Sequence, residues 1–130
     1  MRVIKKISDR GQDLVEFAIT IPLFMVLVFG IIDFGRAAYY YSAIQNGSRE
    51  AARYAIVHPG SDSAIETYVR DRVIGLDQND LTVVNPGWTD DTVTVTLQYS
   101  FVPVTPIIGI LFPGGEISMQ SSSTMLREQW

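Results

Sequence analysis

Glu16 is the residue whose type and position point most clearly to chemistry. It is the only charged residue in an apolar run, LVEFAITIPLFMVLVFGII, that extends from Leu14 to Ile32. A carboxylate at the centre of a membrane helix costs about 2.5–3.5 kcal/mol, so Glu16 must either reach the headgroups or find a partner. If the chain is cut after Gly11, Gln12 gains an ammonium group one helical turn from Glu16. In a bundle of such helices, Glu16 of one subunit can pair with that ammonium group of another subunit, where the low dielectric strengthens the attraction.

Residue patterns of catalytic and metal sites are missing from the sequence. There is no cysteine, and the single histidine, His58, adjoins a proline, so no nucleophile–base pair can be named around it. Asp77, Asp80, Asp90 and Asp91 are divided between two turns and lack the EF-hand spacing, so solvated turn acids are the better interpretation. We therefore predict that the protein is not an enzyme and holds no cofactor or metal.

Charge is divided unevenly along the chain. Four basic residues and one acid lie among the first ten residues: Arg2, Lys5, Lys6 and Arg10, with Asp9. From Gln12 onward there are six arginines, no lysine and thirteen acids, which gives a net charge of −7. An acidic folded part excludes nucleic acid as a partner. The basic flank predicts that the N-terminus stays in the cytoplasm and that the C-terminal part lies outside the cytoplasmic membrane.

One long helix is predicted to position these charges. The apolar run is long enough to cross a bilayer, and the helical pattern continues to a His-Pro-Gly breaker after Val57. Residues from Gln12 to Val57 therefore predict a helix of roughly 70 Å, half in the membrane and half projecting from it. Pro22 and Gly30 are its weak points. A cleaved signal peptide is disfavoured because the run is too long and no small-residue cleavage site follows it.

Asp33 and Arg36 close the apolar run as an i,i+3 pair of opposite charge. The pair either marks the place where the helix leaves the membrane or makes a contact between subunits, and the sequence leaves both open. Three consecutive tyrosines, residues 39–41, follow at the position expected for an interfacial aromatic belt.

The remaining residues, 59–130, predict a small extracytoplasmic α+β domain. Ser61 or Asp62 can cap a short helix that extends to Ile74. Residues 81–84 predict a short strand, and Asn85-Pro86-Gly87 a turn. Residues 92–102 predict a strand with one buried face, because polar residues alternate there with Val93, Val95, Leu97, Tyr99 and Phe101. Residues 116–126 predict a further strand, with serines in place of a strong alternation. Together they predict an antiparallel sheet of about three strands that packs on the short helix and the outer half of the long one.

Residues 102–115, VPVTPIIGILFPGG, form an uncharged, apolar loop rich in proline and glycine. Such a segment is either covered by a neighbour or exposed as a contact surface. We favour a contact with another subunit or partner over a purely intramolecular role, because large apolar patches on a single chain are usually functional.

The N-terminal part of the sequence resembles a known family. A basic leader, Gly11, and then QDLVEF look like the class III signal of type IV pilins. The longer string RGQDLVEFAITIPLFMVLVFGIIDFGR, with AIQNGSREAARYA after it, is similar to the TadE-like proteins of tight-adherence (Tad or Flp) pilus systems. The resemblance rests on one register of Gly11, Glu16, Phe17, Pro22, Gly30, Asp33, Gly35, Arg36, Arg49 and Arg53. Phe17 replaces the tyrosine that the major pilins of these systems usually carry.

The resemblance implies a structural pilin-like subunit, major or minor. A prepilin peptidase would remove the leader, residues 1–11, between Gly11 and Gln12. The helix, residues 12–58 with its membrane segment 14–32, would then pass from the cytoplasmic membrane, through an inner-membrane assembly platform, into an extracellular adhesive filament of like or related subunits. Glu16, Phe17, Pro22, Gly30, Asp33 and Arg36 would be the assembly residues. Residues 12–130 contain no lysine, so assembly would be non-covalent rather than cross-linked through isopeptide bonds.

Two other interpretations use the same residues differently. The chain could be an uncleaved single-pass accessory of a pilus or secretion machine, in which the Gly11–Gln12 bond stays intact. It could also be a secreted soluble adhesin, which would require cleavage near Gly35.

Overall fold

The computed structural model describes residues 9–127, so residues 1–8 of the predicted leader lie outside the described part. The elements are α1 (Asp9–Val57), α2 (Asp62–Arg72), β1 (Leu81–Trp88), β2 (Thr92–Phe101), α3 (Pro106–Leu111) and β3 (Ile117–Leu126), with a 3-10 turn at Pro113–Gly115. The fold is α+β: a long N-terminal helix, then a three-stranded antiparallel sheet and short helices. This confirms the predicted fold class.

Helix α1 has 49 residues and continues without interruption through Pro22. It begins at Asp9, ahead of the predicted start at Gln12, and ends at Val57 as predicted. At 1.5 Å per residue its length is roughly 74 Å. No residue from Gly11 to Ile32 is buried, whereas the outer half contributes Ile44 and three alanines to the core. One helix therefore forms both the projecting stalk and one wall of the folded domain.

The sheet has the order β1-β2-β3, and both pairs of strands are antiparallel. The apolar residues of β2 predicted to face the core are all buried: Val93, Val95, Leu97, Tyr99 and Phe101. On the other face, Thr94 pairs with Thr124 and Thr96 with Ser122 through hydroxyl–hydroxyl hydrogen bonds of 2.7 Å. The alternation thus produces a dry face against α1 and a wet face outside.

Helix α1 approaches the sheet closely because small residues line the contact. A Cβ atom at Gly47 would lie 2.6 Å from Val73 Cγ2 and 3.0 Å from Leu97 Cδ1, so a larger residue does not fit without a shift. Beside it, the hydroxyls of Ser48 and Ser121 lie 3.2 Å apart and are buried. At the centre of β3, therefore, the residue that faces α1 is the hydrogen-bonded Ser121 rather than an apolar residue. A bulkier side chain there would push α1 away.

The predicted turn at Asn85-Pro86-Gly87 is wrong. These residues belong to β1, whose pairing with β2 shifts between Val84 and Gly87, as in a β-bulge. Proline has no N–H for the ladder, but β1 is an edge strand and its bulge accommodates the residue. The chain reverses after Trp88 instead, where the Thr89 N–H donates to the Thr92 carbonyl at 2.9 Å.

Two shorter elements also differ from their predictions. Helix α2 ends at Arg72 rather than Ile74, and Ser61 precedes it without a capping hydrogen bond from its side chain. The predicted loop 102–115 contains the helix α3. Thr105 before it is extended, and Pro106, at the first helical position, has the fixed φ that suits a helix start. Gly114 and Gly115, with φ of 78° and 73°, then turn the chain into β3.

Candidate functional site

The first feature of the site is the apolar surface of α1. The segment Leu14–Ile32 carries exposed Leu, Ile, Phe, Val and Met side chains along its whole length. Within residues 9–127, α1 is the one helix long and apolar enough to cross a membrane, with a mean hydropathy of 2.5 over its most apolar window. Exposed apolar surface of this extent needs a cover, either lipid or other protein chains.

The residues of the predicted processing and pairing site lie in the first turns of α1. Gly11, Gln12, Glu16 and Phe17 are all helical and exposed. The Gly11–Gln12 bond is therefore inside regular helix, which continues upstream to Asp9. Gln12 and Glu16 are four residues apart and share one face of the helix. The Glu16 carbonyl accepts a hydrogen bond from Thr20 Oγ1 at 2.8 Å, which leaves its carboxylate out of that contact.

Pro22 and Gly30, the predicted weak points, lie in different surroundings. Pro22 is inside the exposed apolar segment, within unbroken helix. Gly30 lies eight residues further along, where α3 comes alongside α1. There it lines an open apolar groove of about 280 Å³ together with Phe34, Ala37, Ile108 and Phe112. A Cβ atom added at Gly30 would meet nothing within 4 Å, so the groove is open at this point.

Asp33 ties the C-terminal part of the chain to α1. Its carboxylate is 3 % exposed and accepts two backbone hydrogen bonds, from the Val104 N–H at 2.8 Å and from the Thr105 N–H at 2.7 Å. Prolines at 103 and 106 bracket these two residues, so their amides are the only N–H groups between the two prolines. We call this contact the Asp33 anchor. It holds the start of α3 against the point where the apolar segment ends.

The charge of Asp33 is stabilised although the side chain is buried. Burial by itself raises the pKa of the Asp33 carboxyl, because it disfavours the charged form. Hydrogen bonds from Thr105 and from the Val104 N–H, together with the nearby Arg36 guanidinium, more than offset burial and leave the pKa below its ordinary value. The anchor is therefore a carboxylate at neutral pH, with charge-assisted hydrogen bonds.

Arg36 adds a second layer of contacts around the anchor. Its Nη1 lies 3.4 Å from Asp33 Oδ1 and donates to the Val102 carbonyl at 3.4 Å. The guanidinium lies over the rings of Tyr40 and Phe101, at 5.7 and 5.4 Å from their centroids. The predicted i,i+3 pair is thus present, and it also binds the end of β2.

The tyrosines expected in an aromatic belt divide between two roles. Tyr40 packs inward, with its ring centroid 4.9 Å from that of Tyr99. Tyr39 and Tyr41 are exposed, and the Tyr39 hydroxyl donates to the Ile74 carbonyl at 3.2 Å. Within residues 9–127, no group of three or more His, Asp or Glu side chains could hold a metal ion.

Sequence reasoning missed the Asp33 anchor. It placed Asp33 at the end of the apolar run, but the two backbone hydrogen bonds of its carboxylate come from residues more than 70 positions away. A signal was present in the Pro-Val-Thr-Pro segment, because two amides outside any strand need an acceptor if they are buried. That signal does not identify which acid supplies the acceptor.

The comparisons with known proteins agree with the position of this site. The family model described as TadE-like protein matches residues 11–53, which cover the apolar segment, Asp33, Arg36 and most of the outer half of α1. A search of the curated proteins and a search of the solved structures each found no significant match. The TadE-like family is structural and associated with Tad pili. The resemblance predicted from the sequence is therefore confirmed over residues 11–53, where this chain is similar to TadE-like proteins.

Proposed function

We propose that this protein is a structural pilin-like subunit, major or minor, of a Tad-type pilus. In this proposal the leader is removed after Gly11, and the mature chain assembles non-covalently through α1. Before assembly the segment Leu14–Ile32 spans the cytoplasmic membrane, with the sheet domain outside. The partners are a prepilin peptidase, an inner-membrane assembly platform and other subunits of the same or a related kind.

The observation that carries the proposal is the bare apolar surface of α1 within a TadE-like match. The sheet domain buries no residue of the segment Leu14–Ile32. In a bilayer, lipid tails cover this surface, and helices gain little hydrophobic energy by associating there. Once the subunit leaves the bilayer, other chains must cover the same surface, and burial at roughly 25 cal/mol per Å² becomes a large driving force for assembly.

Charge pairing gives the bundle a reason to form in one register. In the proposal, the new Gln12 ammonium group and the Glu16 carboxylate of a neighbouring subunit meet inside the bundle. A buried ion without its partner is strongly disfavoured, so a helix that slides out of register leaves both the ammonium group and the carboxylate unpaired. Pro22 and Gly30, which weaken the helical backbone, are the places where α1 would bend or locally unwind as it packs.

The intact mass of the protein in two fractions tests the proposal. We expect the chain in shed filaments to begin at Gln12 and a full-length precursor in the membrane fraction. Gly11→Leu should accumulate as a full-length precursor and form no filaments. Space around Gly11 is open, with nothing within 4 Å of an added Cβ, so failure to fold does not explain such a result.

Gly35→Leu is the matched control, because Gly35 is another helical glycine with open space around it. It should be processed like the unaltered chain. If the unaltered protein keeps residues 1–11 and stays in the membrane fraction, the pilin proposal is wrong and the uncleaved accessory is correct. If instead the chain is recovered as a soluble protein that begins near Gly35, both membrane-based interpretations are wrong.

A further inference from the structure

Helix α3 presents a second apolar surface outside the TadE-like segment. Ile108 of α3 and Phe112, the residue after the helix, face α1 across the groove described above. On the other side of α3, Ile107, Ile110 and Leu111 point away from the domain, and Ile110 and Leu111 are 83 and 74 % exposed. We call these three residues the α3 face. None of them contributes to the core of the domain.

The Asp33 anchor fixes the level of the α3 face along α1. The groove between the two helices extends from Gly30 to Ala37 on α1, which is about 10 Å at 1.5 Å per residue. Asp33, directly after the last residue of the apolar segment, lies near the middle of that stretch. If Leu14–Ile32 spans the bilayer, α3 lies in the boundary layer between acyl chains and headgroups, which is about 5–7 Å thick on each side.

The composition of residues 102–115 suits the boundary layer between acyl chains and headgroups. Residues 102–115 contain no charged side chain, although this part of the chain is outside the membrane-spanning helix. On α1, Ile31, Ile32 and Phe34 are also exposed, and they lie in or next to the stretch that lines the groove. An apolar, uncharged surface beside a membrane helix fits lipid without a desolvation cost for polar groups.

We propose that the α3 face is a second membrane contact, which inserts into the leaflet at which α1 leaves the bilayer. This inference rests on the membrane-spanning role proposed for α1. The occupant is lipid, at the acyl–headgroup boundary. Because residues 102–115 carry no basic residue, insertion requires no anionic lipid and is insensitive to salt. The contact sets the depth of α1 and stops the sheet domain from tilting relative to the bilayer.

Site-specific fluorescence of the full chain in phosphatidylcholine nanodiscs tests this contact. The protein has no cysteine, so Ile110→Cys, Val57→Cys and Leu23→Cys each accept one environment-sensitive label. Val57 is the matched control, an exposed apolar residue at the far end of α1, 72 % exposed. Leu23 reports on the membrane segment itself. Each label is quenched separately with iodide from water and with phospholipids spin-labelled near the headgroup or deep in the acyl chain.

We expect the Ile110 label to be quenched by the shallow lipid spin label and to have an iodide quenching constant several-fold below that of Val57. The Leu23 label should respond to the deep spin label. An Ile110 label as open to iodide as Val57, with Leu23 still quenched by lipid, would overturn the α3 contact and leave the membrane span in place. A Leu23 label unaffected by lipid would refute the span and the contact together. An Ile110 label shielded from both quenchers would show that a second copy covers α3, which also overturns the proposal.

Discussion

Removal of the Asp33 carboxylate is the sharpest test of how the two parts of the chain are joined. In Asp33→Ala, the Val104 and Thr105 amides lose acceptors at 2.8 and 2.7 Å. A hydrogen bond to a charged group contributes about 1.5–3 kcal/mol, and a buried amide left unpaired costs about 1–3 kcal/mol. These figures describe the same contacts and do not add. Residues 102–112 can also detach from α1, so that water forms hydrogen bonds with both amides. We therefore expect a net loss of about 1–3 kcal/mol in the local stability of residues 102–112.

The expected effect is local. The α3 face makes no contribution to the core, so the segment around α3 can open while the sheet stays folded. Hydrogen exchange of the full chain in nanodiscs should show faster exchange for peptides covering residues 102–112 in Asp33→Ala. Peptides from β2 should remain protected. Asp33→Asn keeps one acceptor oxygen, so its effect should fall between those of the alanine variant and the unaltered chain.

Asp62→Ala is the control for this experiment. Asp62 is also a carboxylate with a long-range contact, since it accepts a hydrogen bond from Trp88 Nε1 at 3.0 Å, but that contact is exposed. Its loss should change exchange near Trp88 and leave residues 102–112 as they were. If Asp33→Ala leaves exchange at residues 102–112 unchanged, the anchor does not hold the segment and the reasoning is refuted.

Three further predictions use other features of the molecule. Gly47→Ala should lower the free energy of unfolding of the domain by about 1 kcal/mol in thermal unfolding. Overpacking typically costs about 1–3 kcal/mol, and the higher helix propensity of alanine offsets roughly 1 kcal/mol of that cost. Gly35→Ala is the control, and it should stabilise the protein or have no effect, because Gly35 lies in open space. Glu16→Ala should insert into membranes at least as well as the unaltered chain yet assemble poorly, and normal filament yield would show that Glu16 takes no part in pairing. Because the folded pKa of Asp33 is lowered, its contribution to stability is complete above the ordinary aspartate pKa of about 4 and is lost as pH falls below it. Exchange at residues 102–112, corrected for intrinsic rates, should therefore be flat near neutrality and rise only in strong acid, and a transition near neutral pH would contradict the assignment.

The sequence predicted the elements with strong periodicity. Helix α1 could be predicted from its apolar run and from the alanine-rich pattern that follows. Its C-terminal end could be predicted from the breaker after Val57. Strand β2 could be read from its strict alternation, and each of its predicted inward residues is buried. These patterns are local, and the folded chain satisfies them without a conflict between neighbouring elements.

The sequence failed where distant contacts decide the outcome. Asn85-Pro86-Gly87 has the composition of a turn, yet pairing with β2 on one side carries the strand through it as a bulge. In β3, serines stand in place of a strong alternation, and the sequence does not show that Ser121 is buried in contact with Ser48 of α1. The Asp33 anchor joins residues more than 70 positions apart, and no periodicity records such a contact.

The continuity of α1 decides how motion at one end reaches the other. The core of the domain contains Ile44 and the alanines at 51, 52 and 55, so the domain is folded around the outer half of the helix rather than attached to it by a linker. No interruption separates that half from the apolar segment, and the Asp33 anchor clamps the chain at the junction. A bend of α1 at Pro22 or Gly30 occurs before the clamp, so it would swing the whole domain as one body. If the subunits assemble through α1 as proposed, the geometry of the helix rather than contact between domains would set the position of each domain on the filament surface.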